Sequence, residues 1–166
     1  MMNAFSLNDH VVYPTHGVGV VTSKIAQVVG GISVDVLVIS FPQDKMTVHV
    51  PVKNIIAAGL RKLSTKKELQ EALAVLKTRP TNHRGMWSRR AQLFESLINS
   101  GNLSSLATVV RDLHRNIENP DCSYSERQIY DSAFKRFIDE LSAIESLNRD
   151  QAKLLVFDIL KIKQAA

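Results

Sequence analysis

The chain has 166 residues and a formal net charge of +5, with a mass of 18.5 kDa, enough for one ordinary domain or two small ones. Hydrophobic residues make up 45% and charged residues 22%, a globular balance that excludes a disordered polyelectrolyte. The excess of bases, with a pI of about 9.5, points toward a polyanion but is too small to identify one.

From about His10 to Pro51 the pattern is that of strands. The runs HVVYP, GVGVVTSKIAQVV, ISVDVLVISF and MTVHVP are rich in Val and Ile, which suit a pleated surface. Gly30-Gly31 between two runs predicts a hairpin turn, since both tolerate positive φ. Pro42 to Lys45 predicts a second turn. Gly17-Val18-Gly19 lacks the third glycine and the following helix of a dinucleotide loop, and predicts a tight bend or close strand packing. Met46, Val48 and Val50 alternate with Thr47 and His49, so one face is expected to be buried and the other available. Val36 to Ile39 is apolar at every position, as in a central strand. Four or five strands in so short a span predict a small, strongly bent sheet or SH3-like barrel.

After about Leu63 the period becomes helical. Thr65 and Glu68 form a capping-box signature ahead of Leu69, Leu73 and Leu76, and Pro80 ends that helix. A second helix runs from near Trp87 to Ser100, with the stripe Trp87, Ala91, Phe94, Leu97 and Ile98 and with Gly101 as its end cap. A third carries Leu106, Val109, Val110, Leu113 and Ile117, stopping before Asn119-Pro120. A fourth starts at Ser123 with Glu126 as box partner and buries Tyr130, Phe134, Phe137, Leu141 and Ile144. The last starts after Asn148, with Leu155, Ile159 and Ile162 facing inward. The expected architecture is α+β in two domains: a β unit over 1–62 and an all-α unit of about five helices over 63–166.

Charge is distributed unevenly along this plan. Residues 1–62 carry five bases and three acids, 63–76 two of each, and 91–166 nine bases and eleven acids. Residues 77–90, KTRPTNHRGMWSRR, carry Lys77, Arg79, Arg84, Arg89 and Arg90 with no acid, beside the only tryptophan, Trp87. Unopposed bases neutralise phosphates and release counterions, and a tryptophan offers a flat face for stacking on a base or entering a groove. Trp87 also fits the apolar stripe of its helix, which allows a plain core role. Bases at a helix start oppose the macrodipole, which prefers acids there, and a locally unfavourable choice of this kind is common at functional sites.

Signs of catalysis are lacking. His10, His16, His49, His83 and His114 are scattered, without the i, i+4 pairing of a helical zinc site. Cys122, the single cysteine, allows no internal disulfide or thiolate cage and has no histidine nearby in sequence. No cofactor or metal is expected. The longest apolar runs, around Ile55 to Leu60 and Leu154 to Leu160, are too short to span a bilayer. The first ten residues lack a secretory pattern. A cytoplasmic protein is expected.

Taken in order, VVYPTHGVGVV (11–21), DVLVISF (35–41), TVHVP (47–51), WSRR (87–90) and VVRDLHRN (109–116), followed by a helical C-terminus, resemble the CarD/CdnL family of bacterial transcription regulators. The resemblance covers almost the whole chain. It implies an N-terminal Tudor-like RNA polymerase-interacting domain that binds the β subunit, a module also found in transcription-repair coupling factor. It also implies a C-terminal helical domain that meets promoter DNA at the upstream edge of the transcription bubble, with little sequence specificity, and stabilises the open complex. Trp87 matches the family's wedge, and Arg89 and Arg90 its basic pair. Gln27, Val29 and His49 fall at polymerase-contacting positions, with Thr47 and Pro51 flanking His49. Close relatives often carry arginine where this chain has Gln27 and His49, which replaces a charge-assisted contact by a neutral one. Ala91 and Gln92 stand where some relatives have a further base; Arg79 and Arg84, just upstream, are the candidates to compensate. A monomer with no membrane partner is implied. The competing expectation is a stand-alone Tudor-like nucleic-acid or peptide-binding module, whose aromatic cage would draw on Phe5, Tyr13 and Phe41.

Overall fold

A computed structural model describes residues 5–14, 16–42, 44–81, 83–100 and 102–165, with side chains as far as Lys161. The chain divides into two units, residues 1–63 and 64–166.

In the first unit, β-branched residues and a two-glycine turn build a long antiparallel hairpin. Strand β2 (Gly17–Val29) and strand β3 (Ile32–Phe41) pair from Val20↔Ser40 to Val29↔Ile32. Gly30 and Gly31 both have positive φ, 59° and 80°, the two-residue turn whose twist matches the strands. Strand β1 (His10–Tyr13) pairs with β2, and strand β4 (Met46–Pro51) with β3. A 3₁₀ turn (Val52–Asn54) and a one-turn helix, α1 (Ile55–Ala58), bring the chain back so that β5 (Arg61–Lys62) pairs with β1. The sheet order is β4-β3-β2-β1-β5, with β3 in the interior. The register slips between Val21 and Ser23, a bulge that strengthens bending.

One sheet face packs the core, built on Phe5, Val11, Val21, Leu37, Ile39, Phe41 and Val50. Gly19 is part of this packing. A Cβ there would lie 2.7 Å from Ile39 Cγ2, 2.8 Å from Phe41 Cε1 and 2.9 Å from the Ser40 carbonyl oxygen. Gly19→Ala is therefore expected to destabilise the first unit by about 1–3 kcal/mol, the usual cost of overpacking. Calorimetry would show this as a lowered melting temperature; an unchanged melt would mean that the strands yield freely.

Among the described residues, the second unit forms five helices: α2 (Lys66–Lys77), α3 (Trp87–Asn99), α4 (Leu103–Ile117), α5 (Tyr124–Glu145) and α6 (Arg149–Ala165). Local caps mark their starts. Thr65 and Glu68 form a reciprocal capping box, and Ser123 Oγ accepts from the Glu126 N–H. Helix α4 packs against α2, α3 and α5 and contributes Leu106, Val109, Val110 and Leu113 to the core. His114 and Tyr130 are buried together, with Nδ1 2.8 Å from the phenol oxygen. Burial holds the imidazole below its ordinary range and the phenol above its own.

The inward face of α6 differs from the expected one. Ala152, Val156 and Leu160 are buried, Ile159 is partly buried, and Leu155 is 39% exposed. Apolar residues surround this helix on several sides, so packing rather than pattern selects the phase. The Ile162 side chain and Gly101 lie outside the described residues. Among the described residues no helix is long and apolar enough to cross a membrane.

Candidate nucleic-acid and protein interfaces

Trp87 is the first residue of α3, and its surroundings come from α3 itself and from α5. Its ring packs at 6.4 Å (centroids) and 41° against Phe94, one face of the buried stripe of the same helix. Its indole N–H donates to Ser125 Oγ on α5 at 3.2 Å. The Arg90 guanidinium sits 5.3 Å from the ring centroid, within the range of a cation–π contact. The ring is half-buried, with one part committed to packing and the rest available at the surface. Around it, Arg79, Arg84 and Arg89 are exposed and Arg90 is half-buried. The Arg90 Nε is buried without a hydrogen-bond partner among the described residues.

Helix α3 starts without help from a side-chain cap. Met86 at the N-cap position has no side-chain acceptor for the first N–H groups, and the first turn contains no acid. Free N–H groups and the positive end of the helix dipole add to the arginines. This combination suits an anionic oxygen.

The segment between α2 and α3 is held by two residues of α4 that sequence reasoning missed. Asp112, whose side chain is 1% exposed, accepts at Oδ1 from the Thr81 N–H at 2.9 Å and from Arg111 Nε at 2.8 Å. Its Oδ2 lies 2.9 Å from His83 Nε2. Arg111 also donates to Thr78 Oγ1 at 2.7 Å and to Thr81 Oγ1 at 3.2 Å. The available signal was an Arg-Asp pair set in the apolar run VVRDL. Tyr124 and Met86, both large and exposed, were also missed; they neighbour Ser125 and Trp87 in sequence.

The first unit gathers its five expected contact residues on one sheet face. Residues directly opposite one another in a sheet share a face. Gln27 pairs with Val34 and Val29 with Ile32. Across the other side of β3, Pro51 pairs with Val36, His49 with Val38 and Thr47 with Ser40. Alternation along β3 places Ile32, Val34, Val36, Val38 and Ser40 on the same side. Gln27, Val29, Thr47, His49 and Pro51 therefore lie on the face opposite the core, with the valines of β3 between them. Thr47 and His49 are exposed, Val29 is 62% exposed, and Gln27 and Pro51 are half-buried. Strand β4 forms one edge of the sheet.

Among the described residues no group of three or more His, Cys, Asp or Glu is placed to hold a metal ion.

Comparison with known proteins matches both units. The model of the CarD-like/TRCF RID domain fits residues 5–64, and the model of the CarD C-terminal domain fits residues 71–157. "Putative transcription factor YdeB" of Bacillus subtilis (strain 168) is 26% identical over 149 residues, covering 90% of this chain and 97% of that protein. The solution structure of the 72-residue N-terminal domain of Myxococcus xanthus CarD is 31% identical, covers 35% of this chain and 77% of that one, and has a TM-score of 0.31. With the C-terminal model alone spanning more than half of the residues and the N-terminal model preceding it in order, this chain belongs to the CarD family.

Proposed function

We propose that the protein is a transcription regulator that binds the β subunit of RNA polymerase through the β2–β3–β4 face and stabilises the promoter open complex through its helical unit. The first unit acts as a Tudor-like tether. It raises the local concentration of a weak DNA-binding surface formed by Trp87, Arg89, Arg90, Arg84 and Arg79. The observation that carries this reading is the arrangement at the start of α3: a half-buried tryptophan under Arg90, close in sequence to exposed Arg84 and Arg89, on a helix whose first turn has no acid. Strand-separated DNA exposes base faces that intact duplex hides. A surface that favours the separated state shifts the equilibrium by its differential affinity for the two.

Separated from polymerase, such a patch binds DNA weakly, with strong salt dependence and little regard for sequence. Replacing Arg89 and Arg90 together by alanine is expected to lower the slope of log affinity against log salt by roughly two, one for each phosphate that is no longer neutralised. Titrating a labelled fork-junction DNA at several salt concentrations checks this; an unchanged slope would place the DNA-binding surface elsewhere. Retrieval of core polymerase by the tagged chain tests the tether.

The competing module with an aromatic cage is not favoured. A cage needs accessible rings, whereas Phe5 and Phe41 are in the core and Tyr13 packs edge-on to Phe41 at 6.4 Å.

A further inference from the structure

We infer that Asp112 is a positioning residue: with Arg111 and His83 it latches residues 78–86 to α4 and so sets the shape in which the basic segment and Trp87 meet DNA. This rests on the DNA-contacting role proposed above. The segment joins α2 to α3, its described residues forming no helix or strand, and it carries Arg79 and Arg84, both exposed. Exposed Thr78 and Thr81 and half-buried His83 are each bonded to Arg111 or Asp112.

A buried carboxylate must be supplied with donors, because an unpaired one is costly. Asp112 takes its donors from the loop backbone, from the loop imidazole and from the neighbouring guanidinium. Ordering the loop is therefore the condition under which Asp112 can be buried. The effect reaches the tryptophan by contact. His83 meets Phe94 edge-on at 5.2 Å and 89°, and Phe94 packs against Trp87. A loop already held in its bound shape has less ordering entropy to lose when DNA arrives. A purely structural carboxylate would affect stability without any special connection to Trp87.

Two variants separate these roles. Asp112→Asn replaces the charge at nearly constant shape and presents an amide N–H₂ toward a donor. His83→Ala removes one loop anchor at a side chain that is 21% exposed but leaves Asp112 its bonds from the Thr81 N–H and Arg111, so the fold is expected to tolerate it even where Asp112→Asn proves unstable. Trypsin cutting after Arg84 reads loop order directly, and acrylamide quenching of Trp87, the only tryptophan, reads its setting. Both variants are expected to speed cleavage after Arg84 by about ten-fold, the factor carried by one charge-assisted hydrogen bond, and to increase quenching. Both should shorten open-complex lifetime on polymerase, while adding nothing in a chain that already carries Trp87→Ala. Unchanged cleavage and quenching in His83→Ala would overturn the latch. So would an equal further shortening in the Trp87→Ala background, which would mark a general stability effect. If Trp87→Ala alone left lifetime intact, the DNA reading would fall, whereas cleavage and quenching would still decide whether the loop is latched.

Discussion

Trp87→Ala should shorten the lifetime of a promoter open complex by roughly five- to a hundred-fold, the equivalent of one stacking contact worth roughly 1–3 kcal/mol. Binding to polymerase should be untouched, because the β2–β3–β4 face belongs to the other unit. The substitution removes the ring beneath Arg90 and the N–H that bonds Ser125. It also uncovers part of Phe94, so some loss of helical-unit stability accompanies it. Trp87→Phe separates the two effects. It keeps an aromatic ring against Phe94 but loses the indole donor, and it should retain much of the lifetime. Competitor-challenge decay of preformed complexes is the measurement, made well below the melting temperature of the variant. A lifetime equal to wild type in Trp87→Ala would exclude the tryptophan from the mechanism.

His49→Glu should weaken binding to an isolated β fragment by about ten-fold or more, since it places a carboxylate in the middle of a surface that must lose water on docking. His49 is exposed and stands across Val38 from Ser23, between Thr47 and Pro51. The free protein has room for the change, so folding should be unaffected. Val28→Ser serves as the control. Val28 is exposed near the Gly30-Gly31 turn, on the other side of the sheet, and its replacement should leave affinity near wild type. Retained affinity in His49→Glu, measured by calorimetry, would move the polymerase-binding surface off this face.

Much of the fold was legible because its signals are local. Thr65 with Glu68 and Ser123 with Glu126 mark helix starts within four residues, and Gly30-Gly31 marks a hairpin within two. The inward phase of α6 was not legible. Leu154 to Phe157 are four apolar residues in a row, and only contact with the rest of the helical unit selects Val156 over Leu155. The Asp112 network was hidden for a related reason. Its partners Thr81 and His83 lie 31 and 29 residues away in sequence, a separation with no periodicity to betray it.

The amino-acid sequence alone determined the order of a β unit and a helical unit, the resemblance to the CarD family, and the concentration of unopposed bases beside Trp87. These depend on composition and short-range spacing. The tertiary structure decided which side chains share a surface. Strand register is a long-range property, and the slip between Val21 and Ser23 changes which β2 residues face His49; Gln27, Val29, Thr47, His49 and Pro51 meet on one face only once that register is set. It also decided the place of Trp87. Spacing left core and surface as alternatives, but packing on Phe94, a bond to Ser125 and a covering Arg90 leave the ring half-buried and serving both. No local pattern could resolve that, because Ser125 lies 38 residues away on another helix.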